Sequence, residues 1–137
     1  MTQERAYRHL ISRLKAAGLR PTRQRLALAK LLFEQGEDRH ITAEQLHGEA
    51  IEAAVRVSLA TVYNTLHQFT EAGLLRELVV EPGRSYFDTN IDEHHHFFDQ
   101  ETGELADIPS DKVRIADLPD PPEGRRVSRV DVIIRVE

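Results

Sequence analysis

Cysteine is absent from the 137 residues. That excludes disulfides, thiolate-held zinc and cysteine nucleophiles, and it restricts any metal site to His, Asp and Glu. Long apolar stretches are missing too. No run comes near the ~18 residues of a membrane helix, and the N-terminal MTQERAYRHL is polar. Neither a transmembrane segment nor a signal peptide is expected, which makes the cytoplasm the default location. HExxH, a nucleophile elbow and a phosphate-binding loop are also lacking, and with them the common signatures of hydrolases and nucleotide enzymes. What is present, 40% hydrophobic and 30% charged residues, is the composition of folded protein. The length suits one ordinary domain or two small ones sharing a border.

The formal net charge of −5 hides an asymmetry. Residues 1–30 carry eight Lys/Arg against the single acid Glu4, a balance of +7. Residues 81–137 carry seven Lys/Arg against fourteen Asp/Glu, a balance of −7. A basic front and an acidic back suggest an anion-facing module joined to a different one, although a solvated basic helix face gives the same count.

Residues 4–17 read as a helix closed by Gly18. In LRPTRQRLALAKLLFEQG, Thr22 is a natural N-cap, Leu26, Ala29, Leu32 and Phe33 form an apolar stripe, and Gly36 ends the pattern. ITAEQLHGEAIEAA opens with Thr42 followed three residues later by Gln45, a capping box, and Ala43, Leu46, Ala50 and Ala54 can face inward. SLATVYNTLHQFTEAGLL runs from Ser58 to Gly73. It buries Leu59, Val62, Leu66 and Phe69 on one face and offers Ala60, Thr61, Asn64 and Gln68 on the other, with Tyr63 and His67 on a border. Two short strands then flank Pro82-Gly83, a pair suited to a type II turn. Helix, turn, helix and hairpin make the order of a winged helix, whose last helix can enter a DNA major groove.

From about residue 90 the style changes. HHHFFD and GELADIP read as strands around Gly103, SDKVRIADLP as a short helix N-capped by Ser110, and DPPEG as a loop. RVSRVDVIIRVE alternates, with Val130, Val132, Ile134 and Val136 on one face. So short a segment makes a poor core by itself, and an exposed apolar strand invites a second copy. The expected fold is α+β: a winged-helix DNA-binding domain over residues 1–88, then a small dimerisation and sensing domain over 89–137.

DEHHHFFD, residues 92–99, holds three of the seven histidines. A solvated loop, a catalytic zinc site and a metal or haem sensor all fit it. In a strand, His94 and His96 project from one face about 6.6 Å apart along the chain, and His95 from the other. Two imidazoles on one face can share zinc, iron or manganese. A haem iron needs one or two axial imidazoles and an apolar wall, to which Phe97 and Phe98 can contribute, although adjacent aromatics in a strand are more often core.

The stretches AGLRPTRQR, HITAEQL, SLATVYNTLHQFTEAGLL, GRSYFD and HHHFFD...GEL, in that order from about residue 16 to 108, resemble the Fur family of bacterial metal-responsive transcription regulators. Many members hold a structural zinc with Cys-x-x-Cys pairs. Asp99 and Thr102 stand at the corresponding positions, so that zinc is not expected. The triple histidine, the cysteine-free second domain and the short C-terminus look like the Irr branch, the iron response regulators of rhizobia and relatives, which respond to haem. Without cysteine, haem binding here rests on His94, His95 and His96.

The resemblance implies a metal site of His40, Asp88, His94 and His96 for iron, manganese or zinc. A conventional second metal site is not expected, because the final strand has no histidine and Glu93 replaces another family histidine. His95 is open among a second site, haem and solvent, while His47 and His67 read as partly exposed helix histidines. For DNA, the resemblance points to Ser58, Thr61, Tyr63 and Asn64, where Asn can bond adenine and Tyr or Thr can touch a thymine methyl. Arg20 matches the family residue that enters a narrow A·T-rich minor groove, and Arg23 and Arg25 are expected on phosphates. The function implied is regulation of iron and haem homeostasis by a DNA-binding homodimer on palindromic A·T-rich operators. The competing readings are a metal-dependent hydrolase using the HxH cluster and a haem or metal carrier. The hydrolase would need an open coordination position and a general base.

Overall fold

A computed structural model describes residues 3–34 and 36–137, without the side chains of residues 3–6. The chain divides into two compact units, Met1–Ile91 and Asp92–Glu137. No helix among the described residues is long and apolar enough to cross a membrane.

The first unit holds α1 (Gln3–Ala16), α2 (Arg23–Phe33), β1 (His40–Ile41), α3 (Ala43–Glu52), α4 (Leu59–Glu71), β2 (Arg76–Glu81) and β3 (Arg84–Asp88). Its helices begin where short polar side chains can take up orphan backbone amides. The Thr22 hydroxyl accepts from the Arg25 amide, and Thr42 and Gln45 form a full capping box. The Ser58 hydroxyl accepts from the Thr61 amide at 3.0 Å. Gly18 and Gly73, both at φ +81°, end α1 and α4 in the left-handed conformation that glycine adopts without strain. Ala54, read as a buried helical position, instead lies beyond the end of α3 at φ +58° and is exposed.

Leu10, Leu14, Leu28, Leu32, Leu46, Val62, Leu66, Phe69 and Phe87 build the core of this unit, each at most 1% exposed. On α2 the stripe is rotated by about one residue: Leu28 is buried with Ala29 and Leu32, while Leu26 and Phe33 are only half-buried. The three strands form an antiparallel sheet in the order β1-β3-β2. Its register sets His40 opposite Asp88 and Ile41 opposite Phe87, so a two-residue strand places one site candidate beside another.

In the second unit, β4 (His94–Asp99) lies between β5 (Leu105–Pro109), antiparallel, and β6 (Ile133–Val136), parallel. The expected helix after Ser110 is a single 3-10 turn, Ser110–Lys112, with no side-chain cap bond. The β-branched Val113 and Ile115, with Pro119 close behind, oppose continuation. The final strand is also shorter than the alternation in the sequence, pairing only over Ile133–Val136. On one face of this sheet Phe97, Ile134 and Val136 remain about 40% exposed.

The β4–β5 turn is closed by its own side chains. Asp99 Oδ1 accepts from the amides of Glu101 and Thr102 at 2.9 and 3.2 Å, and the Thr102 hydroxyl accepts from the Glu104 amide at 3.2 Å. Side chains that hydrogen-bond nearby amides stabilise such a turn.

Candidate functional site

Alternation along β4 buries His94, His96 and Phe98 and turns His95 and Phe97 away from them. His94 Nδ1 lies within hydrogen-bond distance of the Asp92 carbonyl. A carbonyl only accepts, so Nδ1 carries the proton and Nε2 of the neutral ring keeps its lone pair. The register places His96 opposite Asp107 of β5. Nε2 of His94 and of His96 lie 3.5 and 3.4 Å from Asp107 Oδ1, and the two rings are 4.5 Å apart at their centroids. In the first unit, His40 Nε2 lies 3.2 Å from Asp88 Oδ2, and Asp88 Oδ1 accepts from the Asn90 amide at 2.9 Å. Asp88 is only 1% exposed, and a carboxylate so buried needs such partners.

Ligand atoms around one divalent ion at 2.0–2.2 Å are roughly 3–3.6 Å apart. The three histidine–carboxylate pairs meet that spacing, with imidazole nitrogen and carboxylate oxygen converging as first-row divalent metals prefer. Asp107 is the member that sequence reasoning missed. Its signal is in the sequence only at the level of register, because nothing but the pairing of GELADIP with HHHFFD puts an acid across from His96.

His95 lies on the opposite face of β4 from His94 and His96. Its Nδ1 accepts from the Val132 amide at 3.1 Å, tying the chain entering β6 to β4. His47 Nε2 donates to the Val57 carbonyl at 3.2 Å and so anchors the loop before α4. His67 packs edge-on against Phe87 at 5.5 Å and stacks near Tyr63 at 6.3 Å.

The residues singled out for DNA lie together on α2, α4 and the segment before α2. Arg20, Arg23, Ser58 and Asn64 are exposed, and Arg25, Thr61 and Tyr63 half-buried. The Tyr63 hydroxyl donates to Glu44 Oε1 at 2.9 Å, and that bond, with desolvation and the carboxylate's charge, raises the Tyr63 pKa. The Ser58 hydroxyl is committed to Thr61, donating to its Oγ1 at 3.0 Å. On the hairpin, Arg84 is exposed and paired with Glu81 at 3.2 Å.

A helical unit ending in a hairpin, followed by a small sheet that carries imidazoles and a carboxylate at ligand spacing, is the architecture of a metal-responsive regulator. The chain belongs to the ferric uptake regulator family, whose family model matches residues 16–119. It is 37% identical over 101 residues to the ferric uptake regulation protein of Vibrio cholerae and 34% identical over 101 residues to that of Escherichia coli K12. Each match takes in 73% of this chain and 67% or 68% of the relative, so the chain spans about two thirds of their length. Its structure is similar to the V. cholerae ferric uptake regulator (TM-score 0.72, 27% identity, 93% of this chain and 98% of that one). It is similar also to the Pseudomonas aeruginosa regulator solved with manganese (TM-score 0.70, 28% identity, 93% and 96%). The expected α+β class stands, and the family is one of transcription regulators rather than enzymes.

Proposed function

We propose that the chain is a cytoplasmic, sequence-specific transcription regulator of iron homeostasis. In this reading it grips palindromic A·T-rich DNA as a homodimer, with residues 1–88 as a winged-helix reader and 89–137 as the dimerisation and sensing part. Its affinity for DNA depends on a divalent metal taken by His40, Asp88, His94, His96 and Asp107. The observation that carries the reading is the pair of donor sets, each at ligand spacing and one in each unit. The reading requires that a cation held by these donors binds the DNA-competent arrangement more tightly than the other. That relatives are named for ferric uptake, and that one was solved with manganese, supports iron or manganese as the ion. The donor chemistry admits zinc as well. A gel shift tests the reading: an A·T-rich palindrome should be retained at least ~1,000-fold more tightly than scrambled duplex, the specificity usual for such readers. Equal retention of both would remove it.

Asn64→Ala should weaken specific binding by about 1–3 kcal/mol while leaving non-specific binding nearly unchanged, as expected for a lost base contact. Arg23→Ala should weaken both together and lower the salt dependence by about one counterion. Equal effects on specificity would erase the distinction. The exposed Phe97, Ile134 and Val136 face supports pairing of two copies through this sheet. Ile134→Glu should therefore yield a monomer in light scattering, and a dimer unaffected by that charge would place the interface elsewhere.

A second reading, from the likeness to the Irr branch, gives the histidine run to haem. The shared buried face of His94, His96 and Phe98 favours those two imidazoles over His95, which the Val132 amide engages. Haem there would compete with the small cation and lower operator affinity roughly 5- to 150-fold, the usual size of allosteric coupling. A Soret titration of wild type against the His94→Ala, His96→Ala double variant decides it: unchanged haem affinity would rule the run out.

A further inference from the structure

Arg25 reads in the sequence as a phosphate contact, yet each of its three guanidinium nitrogens donates a hydrogen bond within the protein. Nε and Nη2 both donate to Gln68 Oε1 of α4, at 3.3 and 3.1 Å, and Nη1 donates to the Arg20 carbonyl at 2.8 Å. That carbonyl also accepts from the Thr22 amide at 2.9 Å, and Thr22 caps α2. The segment carrying exposed Arg20 is thereby fastened to the helix carrying Asn64. The bridge borders a polar groove of about 450 Å³, with Arg20 and Arg25 on one side and Thr61, Asn64 and Gln68 on the other. The planar fork of arginine is what lets one side chain hold both partners, and a lysine ammonium on the same stem lacks that geometry.

We propose that Arg25 and Gln68 are positioning residues that hold the Arg20 arm in register with α4, so that one hydrogen-bonded unit sets both minor-groove and major-groove reading. This rests on the DNA-binding reading above. If Arg25 instead met a phosphate, its role would be charge alone. Gln68, which is uncharged, would then have no share in it.

The test uses the full chain and an A·T-rich palindromic duplex in which A·T pairs are replaced singly by G·C or by inosine·C. An inosine·C pair presents the minor groove of A·T, because only the guanine 2-amino group distinguishes G·C there. Positions where wild type rejects G·C but accepts inosine·C are those read by the arm. At these positions Gln68→Ala and Arg25→Lys should each lose about 2- to 12-fold of that discrimination, the worth of a net hydrogen bond. The double variant should lose no more than either one, since both break the same bridge. Gln68→Glu, which can still accept from Arg25, should restore the discrimination even where its charge lowers total affinity. Thermal melts accompany each variant to show that it is folded. Arg25→Lys with wild-type discrimination, together with an Arg25→Ala salt slope lowered by about 0.9, would overturn the inference and return Arg25 to a phosphate. Wild type that binds none of the duplexes would instead sink the DNA reading itself.

Discussion

Replacing Asp107 by alanine should lower the affinity for divalent manganese by more than about 100-fold, beyond the 10- to 100-fold loss typical when only an outer-shell partner is removed. Asp107 Oδ1 is the atom on which the Nε2 atoms of His94 and His96 converge. Without it the buried histidines lose their common carboxylate, and the cation loses the negative charge that offsets its own. Asp107→Asn keeps the shape but removes that charge, so it should fall between wild type and alanine. Asp111→Asn, an exposed acid four residues further on in the 3-10 turn, should have no effect. Calorimetric titration reads all three. Affinity should also fall on acidification, because imidazole must be neutral to ligate. If Asp107→Ala bound manganese as wild type does, the cross-strand acid would be no ligand and the second-unit set would reduce to two histidines.

The largest stability effect should come from Phe87→Ala, which is expected to cost about 3–5 kcal/mol as a deleted core aromatic. Phe87 is fully buried on the central strand of the first sheet, opposite Ile41, and meets the edge of His67 at 5.5 Å. A loss of that size is a large fraction of the ~5–15 kcal/mol that holds a domain folded. It should appear as a lower urea midpoint with an unchanged slope. Because Asp88 follows directly, the same cavity should loosen the His40–Asp88 pair and weaken metal binding in the surviving folded fraction. Phe87→Leu should cost under about 1.5 kcal/mol if repacking is possible. A Phe87→Ala penalty below about 1 kcal/mol would mean that this ring does not sit in the core, since large losses require a cavity or comparable damage.

The elements that carry local signals were readable in the chain. Thr22, Thr42 and Ser58 mark helix starts because their hydroxyls meet amides three residues away. The spacing of Val62, Leu66 and Phe69 marks the buried side of α4 because it is a helical period. Once HHHFFD is a strand, the shared face of His94 and His96 follows from its alternation. What the chain did not disclose depends on register and on competition between neighbours. Asp107 acquires its place from the β4–β5 pairing, and His95 acquires a backbone amide only because β6 runs parallel beside β4. Arg25 shows the same limit from the other side. Charge suggests a phosphate, but a glutamine 43 residues away accepts from it, and no local pattern announces that pairing. The short helix expected after Ser110 stops at one 3-10 turn because the β-branched Val113 and Ile115 and then Pro119 outweigh a polar cap.

Control of DNA binding by a divalent cation, as proposed above, is tested most directly by one measurement. Retention of an A·T-rich palindromic duplex is followed by fluorescence anisotropy while manganese is added to metal-free protein, then withdrawn with chelator, for wild type and for His96→Ala. A coupling of 1–3 kcal/mol, usual between linked sites, would tighten wild-type binding about 5- to 150-fold, reversibly. His96→Ala should bind weakly at every manganese concentration up to roughly 100 times that which saturates wild type. Wild-type affinity that stays constant across the titration, or a His96→Ala response that matches wild type, would mean that no cation at these donors governs DNA binding.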